Sequence, residues 1–185
     1  MQNPKGPNPA RLALFIPIAL ACCLIFACVG HQSWEASTDM LLETYPEFDE
    51  TPGMYPGNQS IYCRSWCVQN EAVYPIVFDL FDELADVLGS KGVSVGMDEI
   101  FLIGEDACPR CRGKDKAELV AYAVQRLYGY LAKGRGLTMY MWGDRLIDGN
   151  NPDTYYDGSE WETSMNGTWP AVDMIPRDIV ILDWH

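Results

Sequence analysis

Asp98 and Glu99 are adjacent carboxylates that follow directly on the short apolar segment Val93-Ser94-Val95-Gly96-Met97. Two carboxylates this close oppose each other's ionisation, so one holds its proton more tightly and can serve as a general acid near neutral pH. Neighbouring residues of a strand point to opposite faces, so both can serve one site only where the strand ends and the backbone turns. The residues alone also allow a plainer reading, an Asp capping the next segment beside a solvated Glu. What favours chemistry is repetition along the chain. His31-Gln32-Ser33-Trp34 follows the apolar run Leu24 to Val29, Trp142-Gly143-Asp144 closes Leu137 to Trp142, and Asp183-Trp184-His185 follows Ile179 to Leu182. Polar and aromatic residues thus gather after four strand-like segments, the place where parallel sheets and barrels build their sites.

A second set of reactive side chains is the cysteines. Of seven, Cys22, Cys23 and Cys28 lie in an apolar run, while Cys63-Arg64-Ser65-Trp66-Cys67 and Cys108-Pro109-Arg110-Cys111 form two short-spaced pairs. Four thiolates can hold zinc tetrahedrally, and Cys108 to Cys111 followed by Gly113 has the spacing of a zinc knuckle. Disulfides or loop thiols are the plainer alternative, and the odd count argues against complete internal pairing. The sequence assigns no metal ligands on this basis. Either way the pairs would pin loops near a site rather than carry out a reaction. Two sequons, Asn58-Gln59-Ser60 and Asn166-Gly167-Thr168, mark surface loops at most.

The elements that must position these groups are legible in the apolar spacing. Val73, Ile76, Val77, Leu80, Phe81, Leu84 and Leu88 predict a helix over Ala72 to Leu88, stopped by Gly89 and Gly92. Leu119, Val120, Ala123, Leu127 and Leu131 predict a second helix over Lys116 to Lys133, with Gly134 after it. Strands are expected at Val93 to Met97, Leu137 to Trp142 and Ile179 to Leu182. Alternation of strand and helix is the pattern of parallel α/β architecture.

Composition narrows the function classes. The chain has 185 residues, 48% apolar and 21% charged, which suits a folded domain. Thirteen Lys and Arg against 26 Asp and Glu give a net charge of -13, which repels phosphate backbones and anionic lipid headgroups. Nucleic acid is therefore not an expected partner. Six Trp and ten Tyr in so acidic a chain hint at a carbohydrate-handling surface. Residues 1–27 contain Lys5 and Arg11 before an apolar stretch, which reads as a secretory leader or membrane anchor, or else as a partial strand buried in the fold. Secretion or membrane contact through that segment follows from the first reading, a cytoplasmic protein from the second.

The ordered strand ends carry a resemblance. Val95-Gly96-Met97-Asp98-Glu99 resembles the strand-end motif of glycoside hydrolase family 20, the β-N-acetylhexosaminidases, and Cys28-Val29-Gly30-His31 resembles that family's Pro-Gly-His strand end, with Val29 in place of Pro. Trp142-Gly143-Asp144 and Ile181-Leu182-Asp183-Trp184-His185 are similar to later strand ends that build an aromatic wall. The resemblance implies an eight-stranded (β/α)8 barrel, of which residues 28–185 would be the middle strands, and no cofactor. It implies retaining hydrolysis of a terminal N-acetylhexosamine in which the substrate's own acetamido oxygen attacks the anomeric carbon. Glu99 would be the general acid and base, and Asp98 would orient the acetamido group. His31, Trp142, Asp144 and Trp184 would contact the sugar. Such a barrel takes about 250 residues, so the chain reads as part of one and is expected to be poorly stable and unable to catalyse at a useful rate by itself. The alternative is a catalytically inactive sugar-binding or zinc-stapled interaction module on the same fold.

Overall fold

A computed structural model of the protein describes residues 38, 41–54, 64–153 and 162–183. The apolar run before His31, together with His31, Cys63 and Trp184, lies outside the described residues. Among the described residues, no helix is long and apolar enough to cross a membrane.

Helix α1 spans Val73–Leu88 and strand β1 spans Gly92–Ser94; helix α2 is Lys116–Tyr128, strand β2 Thr138–Trp142 and strand β3 Val180–Leu182. The three strands form one parallel sheet in the order β1-β2-β3. Gly92 pairs with Thr138 and Ser94 with Tyr140, while Tyr140 pairs with Val180 and Trp142 with Leu182. All three strands therefore point their carboxyl ends to one edge, where Asp98-Glu99 and Trp142-Gly143-Asp144 follow.

The helices form where the apolar spacing requires. Val73, Tyr74, Val77, Phe78, Phe81 and Ala85 bury one side of α1, and Gly89 ends it in the left-handed conformation at φ 60°, its N–H returning to Ala85 O. On α2, Leu119, Val120, Ala123, Val124 and Leu127 are buried. They join α1 and the inward-facing Met139 and Met141 of β2 in one core, while Thr138, Tyr140 and Trp142 take the opposite face of that strand. The second helix does not run regularly to Lys133: from Gly129 to Gly134 it widens into a π-helical turn. Tyr130 in that turn stacks on Phe78, with ring centroids 3.9 Å apart, and donates to Asp82 at 2.7 Å. The wider turn thus joins the end of α2 to α1.

Asp115 caps α2, its carboxylate accepting the Glu118 N–H at 2.9 Å. That N–H has no partner inside the helix, so the cap satisfies it directly. Asp115→Ala should lower the unfolding free energy by about 1 kcal/mol and Asp115→Ser by much less. Equal losses in urea titrations of the two variants would show that the side-chain cap is not the cause.

Candidate active site at the carboxyl edge of the sheet

Strand pairing at β1 ends earlier than the apolar pattern suggests, at Ser94 rather than Met97. The ladder nevertheless continues through Val95 N to Tyr140 O and Trp142 N to Gly96 O, both 2.9 Å. The chain then turns through three positive φ angles: 70° at Gly96, 70° at Met97 and 48° at Glu99. Glycine adopts this region freely, but each side-chain-bearing residue there costs about 1–3 kcal/mol. Such strain persists where neighbouring contacts over-determine it, and here they do. The Met97 side chain is buried in the core. Glu99 N–H donates to Asp144 Oδ2 at 2.9 Å, and Glu99 O accepts from Phe101 N at 2.8 Å. Asn166 Nδ2 reaches across to Ile100 O at 2.8 Å. This turn is what lets two consecutive residues of a strand end address one region.

Glu99 is only 5% exposed, whereas Asp98 beside it is half-buried. Asp144, from the end of β2, is also buried, and its Oδ2 takes both Glu99 N–H and Arg145 Nε, the latter at 2.7 Å. Loss of solvation pushes the Asp144 pKa up from the carboxylate range, opposed by the adjacent Arg145 guanidinium and the Glu99 N–H. Arg145 is fully buried, donates to Thr163 O at 2.7 Å and lies over the Phe101 ring at 5.1 Å. Gly143 sits where β2 and β3 converge: a Cβ there would meet Ile181 Cγ2 at 2.7 Å. The glycine of Trp142-Gly143-Asp144 is thus required by the close approach of β3, and it sets where Asp144 begins.

The structure brings four of the six expected site residues, Asp98, Glu99, Trp142 and Asp144, to the same edge. His31 and Trp184 lie outside the described residues. The sequence profile of the glycosyl hydrolase family 20 catalytic domain matches residues 31–177. The chain belongs to that family. No curated protein matches the chain. A family 20 catalytic domain is a TIM barrel acting as a glycoside hydrolase on carbohydrate, and the parallel α/β arrangement agrees with that architecture. The matched residues begin at His31 and include the Asp98-Glu99 turn and the Trp142-Gly143-Asp144 strand end of this family 20 domain.

Two supporting residues escape a reading of the sequence alone. Arg145 carries only the weak signal of a cation next to a strand-end acid. Asn166 is visible there only as a sequon marking a surface loop; it is instead half-buried, with its amide nitrogen on Ile100 O and its amide oxygen accepting from Ser164 Oγ at 3.2 Å. The cysteines also depart from simple pairing. Cys67, Cys108 and Cys111 are free and fully buried, with Cys67 Sγ 3.4 Å from both Cys111 Sγ and Cys108 Sγ. A hydrogen bond from the Cys111 thiol, against the cost of burial, brings the Cys67 pKa down to about 6. Burial and the nearby Glu50 carboxylate push Cys108 up to about 11.

Proposed function

We propose that this family 20 domain removes terminal N-acetylhexosamine from glycans by substrate-assisted, retaining hydrolysis. The observation that carries the reading is the Asp98-Glu99 turn, with Glu99 fixed through its backbone by Asp144 from the neighbouring strand. In this reading the acetamido carbonyl oxygen attacks the anomeric carbon while the glycosidic oxygen leaves with the proton of Glu99. Water then adds to the anomeric carbon of the oxazolinium, returning a proton to Glu99 and restoring the acetamide. Asp98 orients the acetamido N–H and stabilises the positive charge that develops on it. Trp142 offers a rigid apolar face to the acetamido methyl and the sugar ring. Asp144, its side chain buried, holds the acid through the Glu99 N–H, and His31 and Trp184 help to line the sugar site.

Three parallel strands lie among the described residues, whereas a (β/α)8 barrel has eight. The assay therefore belongs in a polypeptide that carries all eight. Aryl N-acetyl-β-glucosaminide should be cleaved with retention, as followed by NMR of the first-formed anomer. The N-trifluoroacetyl analogue should react far more slowly, because fluorine withdraws electron density from the attacking carbonyl oxygen. Equal rates for the two substrates, or inversion, would remove the substrate-assisted step. Sugar binding without turnover of any such substrate would instead favour the inactive binding module.

A further inference from the structure

Away from the strand-end turn, a second cluster gathers groups from three separate stretches of chain. Glu50, Cys67, Cys108 and Cys111 are all fully buried, and their ligand atoms lie within 4.8 Å of one another. We propose that these four residues form a tetrahedral structural zinc site.

The sulfur spacing argues for a metal rather than a bond. A disulfide needs about 2.05 Å between sulfurs, and the Cys67 to Cys111 and Cys67 to Cys108 separations are both 3.4 Å. Two thiolates on one tetrahedral zinc, each at about 2.3 Å from it, lie about 3.8 Å apart. Three converging sulfurs also leave one over in any disulfide, whereas one cation engages all three. Glu50 supplies the second, independent observation. Its Oε1 accepts the Glu105 N–H at 3.1 Å, but its buried Oε2 has no hydrogen-bond partner, and no ion pair to Glu50 forms among the described residues. A carboxylate taken out of water beside sulfur atoms is costly unless a cation meets it. A divalent ion at the centre of the cluster does so.

The Cys108-Pro109-Arg110-Cys111 turn is closed by Arg112 N to Cys108 O at 3.1 Å and is followed by Gly113 at φ 74°. Such outer contacts fix ligand direction. Three soft sulfurs and one oxygen select zinc over magnesium or calcium, and four protein ligands leave no position open for substrate, which makes the site structural. Binding exchanges thiol protons for the metal without any change of oxidation state.

The consequence for the domain is mechanical. The Glu50 and Cys67 segments already touch, through Cys67 N to Phe48 O at 2.6 Å and Glu50 N to Ser65 O at 3.0 Å. Zinc would tie them to the loop that runs from Glu99 to α2, so the chain leaving the acid would be anchored at Cys108 and Cys111.

The test is metal content and spectroscopy of the full chain, independent of any glycosidase assay. Reduced, chelator-treated protein titrated with zinc should retain one zinc per chain after desalting, and Cys111→Ser should retain none. Glu50→Gln should bind at least about 10-fold more weakly, the loss that follows removal of even an outer partner. Because the variants could fail to fold, wild-type apoprotein titrated with cobalt(II) should also develop thiolate-to-metal charge-transfer bands. Absence of those bands, a metal-free chain with three alkylatable thiols at Cys67, Cys108 and Cys111, a disulfide between any two of them, or zinc retained by Cys111→Ser would each overturn the site.

Discussion

Glu99→Gln is expected to lower kcat/KM for an alkyl N-acetylglucosaminide by about 10²–10⁴-fold in a complete barrel, the range that general acid catalysis contributes. The substituted side chain has nearly the same volume, and the backbone N–H that meets Asp144 is kept, so the variant isolates the proton. An alkoxide is a poor leaving group and needs that proton as the bond breaks. A nitrophenolate departs without it, so the first step with an activated aryl glycoside should lose much less. Asp98→Asn should behave differently and slow both substrates, because orientation of the acetamido group precedes departure of either leaving group. Equal loss on alkyl and aryl substrates in Glu99→Gln would assign the acid role elsewhere. The comparison reads transition-state differences directly, since ΔΔG‡ follows from the ratio of kcat/KM values.

How far the sequence foretells this arrangement depends on the range of the interactions. Helix α1 begins one residue from its expected start and ends at Leu88, because a stripe of seven apolar residues and a C-terminal glycine are local signals. The end of β2 at Trp142 is equally plain. The apolar pattern overextends β1 because Val95 and Met97 continue it, whereas the left-handed turn at Met97 and Glu99 is imposed by partners distant in sequence. Glu50 cannot be grouped with the cysteines from spacing at all. Its position beside them depends on the antiparallel bridge between Asp49 and Trp66 and on the fold of the loop after Glu99. The family resemblance, by contrast, rests on short strand-end motifs, and these survive in any reading that keeps the strands in order.

The second large effect is on stability, at Arg145. Replacing it by Met should cost about 3–5 kcal/mol, much of the stability of an ordinary domain, because one member of a buried pair would be removed. Arg145 lies at zero exposure, on Asp144 Oδ2 and Thr163 O, and stacks over Phe101. Methionine replaces part of its volume but leaves the Asp144 carboxylate without its cation and Thr163 O without that donor. The pH dependence distinguishes this cause from a packing defect. Burial already raises the folded pKa of Asp144, and Arg145 opposes the rise; without Arg145 the folded value moves higher still. A group raised on folding contributes stability that is complete below its unfolded pKa and is lost as pH rises through its folded pKa. The deficit of Arg145→Met relative to wild type should therefore shrink on acidification through the carboxylate range and be largest near neutrality. Adding Asp144→Asn removes the uncompensated charge while keeping an oxygen to accept Glu99 N–H, so the double variant should recover part of the loss. Urea titrations at several pH values read both effects. A pH-independent deficit with no recovery in the double variant would mean that Arg145 acts by filling space, and that the carboxylate holding Glu99 does not depend on its charge.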